Sequence, residues 1–414
     1  MPFTPVGPRI GAVLTVNDGI SSSAGPVKAR TGMVAVAVVA VVHAVVFAPV
    51  AYRLIYPGGE QVGPNLFPAH IGFAEEKLSA WQAFAPESLW FALVRLVDVV
   101  LPGPIERAAF VVSVGFYAFF GVMLYALFNE ALESSLRNRV FAGTLSVAFA
   151  LMESPTVFLG WNRFAEGHLF LLLYIPFSAT TLASLGVDVL LIWQVGRFLE
   201  GSLPRRRLWV IPALTVFAGI AKPNLVPMVL VVAPLYPLVT SWSVRPAVLA
   251  SALRAFCLVT LPGAVCGVFQ LVAILRYTPY RGGWRIAPLA ELRYLDGMRL
   301  AFWTALVAPA LVMLAYRRLV LSNAAVRVSL ACSGIALVLV LMLERVGSPY
   351  RGDALQLLQT SVAMVYVFLG RQVLAVESGG RGSRGRRSWA YASFGSAVVA
   401  GVASWTYHIG LLTW

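Results

Sequence analysis

Charged side chains are scarce in this chain: Asp, Glu, Lys and Arg together make up 12% of its 414 residues. A soluble domain carries about a quarter of its residues charged, so the shortage excludes an ordinary water-facing surface. Cysteine is scarcer. The three cysteines, Cys257, Cys266 and Cys332, all fall in apolar stretches. Cys257 and Cys266 lie nine residues apart on one helix, about 13 Å at 1.5 Å per residue. That geometry excludes a disulfide framework and offers no metal site. Lysine is confined to Lys28, Lys77 and Lys222, a bias toward arginine that carries no mechanism. No internal repeat, nucleotide motif or soluble domain is legible, and no cofactor is expected.

What is abundant is apolar surface, with 59% hydrophobic residues and a mean hydropathy of +0.79. Lipid must be the solvent for most of it. Windows of roughly 17 to 25 apolar residues predict eleven spans, near Met33–Ala51, Ala108–Phe128, Val140–Leu159, His168–Gln194, Leu208–Ile220, Leu225–Thr240, Leu249–Leu275, Leu300–Tyr316, Val328–Leu343, Ala354–Gly370 and Trp389–Tyr407. The expected fold is therefore all-α, a polytopic transmembrane helical bundle of about 11 spans. Residues 1–32, rich in Pro, Gly and Ser, read as a disordered cytoplasmic tail, and 33–414 as a single transmembrane domain. Met33–Ala51 reads as a retained anchor, because Pro49 follows directly on the one cleavage signal available.

With the amino terminus in the cytoplasm, the inner segments hold 19 of the 32 basic residues, including Arg205 to Arg207 and the 381–387 cluster. That bias satisfies the positive-inside rule and puts the carboxyl terminus outside. The net charge of +14 is distributed by membrane side and not gathered in one patch, so it reads as topology with some affinity for anionic lipid heads, not as nucleic-acid binding. Glu87–Leu101 is apolar but only fifteen residues long and carries Arg95 and Asp98. If it crossed, the Arg clusters would land outside, so it is expected to be an interfacial or re-entrant helix.

Loops are short almost everywhere except at 52–107, an outer loop of 56 residues, and long ordered loops are usually functional. From His70 to Phe84, Ile71, Ala74, Leu78, Trp81 and Phe84 form one helical stripe, which suits a helix lying on the membrane surface. Ahead of it, YPGGEQVGPN (Tyr56–Asn65) places Glu60 beside Gly58 and Gly59 in a tight turn. This arrangement resembles the membrane glycosyltransferases of the C type (GT-C-like), multi-spanning enzymes that use lipid-phosphate-linked sugars. The resemblance implies that an acid in the first outer loop is the catalytic base, here Glu60. It also implies a polyprenyl-phosphate sugar donor, an envelope glycan or lipid acceptor, and a plasma-membrane location. The paired acids frequent after the first span are absent; Glu75 and Glu76 lie on the following helix.

Three further outer segments resemble those of uncharacterised multi-spanning bacterial membrane proteins: GWNRFAEGH (Gly160–His168), AKPN (Ala221–Asn224) and ERVGSPYRGD (Glu344–Asp353). A phosphate-bearing lipid needs cations, which arginine supplies as a fork and lysine as a point charge. The substrate-binding candidates are Arg163, Glu166, His168, Lys222, Asn224, Arg281, Arg285, Arg345 and Arg351. Each has a plainer reading, as a solvated loop residue, a snorkelling anchor or, for Lys222, a helix carboxyl cap. Within the spans, Glu153 and Asp188 are the conspicuous acids and functional candidates by default. Asp188 stands about two to three turns before Arg197, and its plainer reading is a simple pairing within the bundle. His43 reads as a core histidine. A transporter or lipid flippase, or a noncatalytic membrane scaffold, remains the alternative to the transferase.

Overall fold

The computed structural model describes residues 26–56, 71, 72, 74, 88–132, 135–152, 179–277, 283–290, 299–346, 353–380 and 384–410. The helices follow the apolar runs and stop where a proline, glycine or polar cap interrupts them. In chain order they are α1 (Pro26–Ile55), α2 (Ser88–Val100), α3 (Ile105–Glu130), α4 (Leu136–Ala150), α5 (Ala179–Leu199), α6 (Val210–Ala221), α7 (Val226–Ser241) and α8 (Pro246–Ala255). A π-turn at Phe256–Thr260 joins α8 to α9 (Leu261–Tyr277). There follow strand β1 (Gly283–Ile286), α10 (Arg299–Val320), α11 (Ala324–Met342), strand β2 (Leu343–Val346), α12 (Asp353–Ser378) and α13 (Arg384–Gly410).

Six of these segments are long and apolar enough to cross a membrane: Gly32–Ile55, Ile105–Glu130, Ala179–Leu199, Pro246–Ala273, Ala324–Met342 and Leu355–Ser378. Val226–Ser241 and Ala305–Arg317 are shorter apolar helices. The chain is thus an all-α helical membrane protein. Among the described residues the addition to the expected architecture is an antiparallel β1–β2 ribbon, in register from Gly283↔Val346 to Ile286↔Leu343. The 13 residues of α2 extend about 20 Å at 1.5 Å each, short of a hydrocarbon core of about 30 Å. Its Trp90 is fully buried and its indole N–H donates to Ser113 Oγ of α3 at 3.4 Å.

Two helices form the centre. Residues 179–189 of α5 and 358–369 of α12 are buried without a break, whereas α1, α7 and the α8–α9 segment turn Val45, Val239, Leu253 and Leu271 outward. A helix surrounded by other helices can carry polar side chains that a lipid-facing one cannot, and α5 carries four of the buried ones: Thr180, Thr181, Ser184 and Asp188. Close approach is made possible by small residues, as is general for helices packing in lipid. A Cβ on Gly196 of α5 would stand 2.9 Å from the backbone nitrogen of Ala325 on α11.

Prolines inside the apolar segments leave carbonyls without their usual donors four residues on, and neighbouring helices supply them. Pro234 in α7 frees the Leu230 carbonyl, which accepts from Thr260 Oγ1 at 2.7 Å. Pro223, just after α6, frees the Gly219 carbonyl, which accepts from Gln270 Nε2 at 2.6 Å. At the starts of α4 and α11, Ser135 Oγ and Asn323 Oδ1 accept the backbone N–H of Asn138 and Val326, each at 3.1 Å, which is N-capping by short polar side chains. Glu200 adds a cap from the end of α5, accepting the Ala324 N–H at 2.7 Å.

The bundle has two chemically distinct ends. At the basic end Glu130 of α3 meets Arg371 of α12 at 3.0 Å and Arg197 of α5 at 3.8 Å. Close by in chain terms, Glu377 of α12 accepts the Tyr316 hydroxyl of α10 at 2.5 Å and the Arg387 Nε of α13 at 2.6 Å. The neighbouring carboxylate holds the Arg387 guanidinium above its ordinary pKa. Arg197 is therefore the partner of Glu130, and the pairing with Asp188 offered by the sequence does not form. A same-helix residue two to three turns away lies about 13 Å along the axis, whereas Glu130 is delivered to Arg197 by packing of α3 on α5. The opposite end, here the ribbon end, carries β1–β2, the starts of α5, α7 and α12 and the end of α6.

Candidate functional site

The ribbon end gathers the polar side chains that the apolar core excludes. The α6 helix stops at Lys222, whose extended backbone closes it while its N–H still donates to the Ala218 carbonyl at 3.0 Å. Pro223 has no N–H with which to continue, and Asn224 turns back, its N–H donating to the Lys222 carbonyl at 2.8 Å. This tight turn drives both side chains inward. Lys222 is only 6% exposed, and its Nζ donates to Thr180 Oγ1, in the first turn of α5, at 3.4 Å. Asn224, also 6% exposed, donates from Nδ2 to Thr360 Oγ1 of α12 at 3.5 Å. Thr360 in turn donates to the Gln356 carbonyl at 2.9 Å. The α6–α7 turn is thereby tied to both central helices.

Thr181, Gln359 and Ser361 are buried beside these contacts in sequence, and Gln270 is buried one turn below Lys222. The lysine is thus both a helix cap by its backbone and a site residue by its side chain. The amino-terminal ends of α5 and α7 lie at the same end. Each directs the positive end of a helix dipole to this end, which reinforces the ammonium charge. Cation, hydroxyls and amide at one buried corner form a set of donors suited to an anion such as phosphate. Tyr56, following α1 at this end, has its phenol pushed up, first by burial and then by the Glu106 carboxylate.

The other sequence-predicted residues fall differently. Arg285 sits on β1, largely exposed, and its guanidinium pairs with Glu344 of β2 at 2.6 Å. Its charge is answered within the ribbon. Arg345 stands on β2 opposite Trp284 in register. Glu60, Arg163, Glu166, His168, Arg281 and Arg351 lie outside the described residues, as does Glu153. Among the described residues no group of three or more His, Cys, Asp and Glu side chains is placed to hold a metal. His43 packs in the core, with Nδ1 donating to the Val39 carbonyl at 2.9 Å and its ring against Gly121 of α3.

Thr180, Thr181 and Thr360 were not anticipated. Single hydroxyls in apolar runs carry no local signal, because their role depends on which distant helix they meet. No family model, curated protein or solved structure matches the chain, so the site's chemistry is argued from its own residues.

Proposed function

We propose that the chain is a membrane glycosyltransferase of the plasma membrane, moving a sugar from a polyprenyl-phosphate donor to an envelope glycan or lipid acceptor at the ribbon end. In this reading eleven helical segments cross, the amino terminus is cytoplasmic, and the carboxyl terminus and the ribbon end face outward. The observation that carries it is Lys222: a cation 6% exposed, tied to α5 through Thr180, beside the amide of Asn224. A lysine ammonium set among hydroxyl and amide groups offers a phosphate arriving from the lipid a point charge to bind.

The reaction is a direct displacement. Glu60, ionised at neutral pH, accepts the proton of the acceptor hydroxyl as its oxygen attacks the anomeric carbon, and the bond to the lipid phosphate breaks. Lys222 and the outer arginines stabilise the phosphate as it leaves, where charge stabilisation supplies much of the rate. The test is transfer in a reconstituted membrane with a polyprenyl-phosphate sugar. Glu60→Gln is expected to abolish transfer while retaining lipid binding; full activity in that variant removes the base assignment. Absence of transfer with every lipid-linked sugar, together with a noncatalytic role in an envelope-building complex, points to the scaffold.

A transporter is the second reading, favoured by one observation, the buried Asp188 in the middle of α5. Density for a lipid tail in a lateral groove leading to Lys222 supports the transferase. A central cavity open alternately to both sides around Asp188 supports the transporter.

A further inference from the structure

Asp188 is the one described acid that is fully buried. Both of its carboxylate oxygens lie out of solvent with no hydrogen-bond partner among the described residues. Six helices pack on α5, namely α2, α3, α6, α7, α11 and α12. The titratable group facing Asp188 is the Cys332 thiol of α11. The charged residues described on these helices lie elsewhere: Arg95 and Asp98 pair on α2, and Glu130 of α3 pairs with Arg371 of α12. Glu106 and Arg107 belong to the first turn of α3, Arg327 of α11 stacks on Tyr236, Asp353 is the first residue of α12, and Glu377 of α12 holds Arg387. The helices α6 and α7 contain no charged residue. An unpaired carboxylate in such surroundings is very unfavourable.

The residues above and below Asp188 are unlike. Toward the ribbon end, Thr181 and Ser184 precede it by seven and four positions on the same helix. At 100° per residue the three side chains fall within about 60° of one another, over a rise of about 10 Å. They form a buried polar stripe that begins beside Thr180 and Lys222. The Ser184 side chain lies beside Asp188, and its hydroxyl donates to the Thr181 carbonyl at 3.0 Å. Toward the basic end the next residues on that face, Leu191, Ile192 and Val195, are apolar and fully buried.

We propose that Asp188 is a proton-binding site, loaded from the ribbon end along the Thr181–Ser184 stripe and sealed from the basic end by Leu191, Ile192 and Val195. The step is protonation of a carboxylate to a carboxylic acid, with water at the ribbon end as the source and no other bond changed. A metal cation would need several oxygen ligands, and this carboxyl has one hydroxyl beside it. A proton needs none. The inference stands apart from the transferase reading, since it is read without any substrate.

The test is infrared spectroscopy of the full-length protein in phosphatidylcholine–phosphatidylglycerol proteoliposomes. The wild-type spectrum is expected to contain the carbonyl band of a protonated carboxylic acid that is missing in Asp188→Asn. The band should shift on transfer to heavy water. Ser184→Val should keep the band and slow its shift about tenfold, the order expected for one lost hydroxyl relay. Absence of such a band from mildly acidic to mildly alkaline buffer overturns the proposal. A band that does not exchange in heavy water overturns the access route. If Asp188→Asn does not fold, the wild type decides: dicyclohexylcarbodiimide, which adds to protonated carboxyls in lipid, should label Asp188 in a digest, and an unlabelled Asp188 peptide overturns it.

Discussion

Lys222 shows how one residue can be held for structure and kept for chemistry. Its backbone closes α6, a task any residue performs in front of Pro223, so the cap does not explain an ammonium at 6% exposure. The side chain instead reaches Thr180 across to α5. Lysine is a compact point charge on a flexible stem, suited to following a phosphate as it leaves. Lys222→Gln preserves length and hydrogen bonding while deleting the charge. It is expected to leave thermal unfolding of the detergent-solubilised protein nearly unchanged and to weaken retention of a polyprenyl phosphate at least about tenfold, the equivalent of 1.4 kcal/mol. Native mass spectrometry with added lipid reads this directly. Unchanged retention would leave Lys222 a structural residue, since its charge would then answer nothing that binds.

At the scale of elements, the bundle depends on helices completing each other's hydrogen bonds. Thr260→Val is nearly isosteric and removes the hydroxyl that answers the Leu230 carbonyl. Gln270→Leu removes the donor to Gly219. Each is expected to destabilise by about 1 kcal/mol, within the range for interhelical hydrogen bonds in lipid, seen as a shift in a steric-trapping or denaturant titration. Gly196→Ala should be worse, at about 1–3 kcal/mol for forced overpacking. The obstruction is Ala325, its Cβ at 2.7 Å and its backbone nitrogen at 2.9 Å, neither of which a rotamer change can move. The apolar runs alone reveal that these helices exist, and the Ala-Lys-Pro-Asn turn marks where α6 must stop. They do not reveal the donors. Pro234 announces an orphaned carbonyl, but its partner, Thr260, lies on another helix, as Glu130 does for Arg197. The β1–β2 ribbon was equally illegible, because its strands are separated by α10 and α11. The Thr181, Ser184 and Asp188 stripe, by contrast, is written in local spacing and could have been read from the sequence.

The whole molecule sorts its charges by end, and that sorting is testable without substrate. The basic end collects Glu130, Arg197 and Arg371 with Glu377 and Arg387, while the ribbon end holds Arg285 and Glu344. Residues 201–290 contain no acid at all, yet carry Arg205, Arg206, Arg207 and Arg245 at basic-end turns and Arg254 in the last turn of α8. Arginine near a membrane surface is retained on the cytoplasmic side, so the basic end is expected to face inward. Ser202 and Gly283 are exposed at opposite ends of the α5–β1 stretch, which makes them a matched pair of reporters. With Cys257, Cys266 and Cys332 replaced by alanine, Gly283→Cys should react in intact cells with a membrane-impermeant maleimide. Ser202→Cys should react only after the membrane is opened. The reverse pattern would invert the orientation and move Lys222 to the cytoplasmic face, away from any outward acceptor. Labelling of both in sealed cells would mean that the two ends do not lie on opposite sides of the bilayer, and the span count built on their alternation would fall with it.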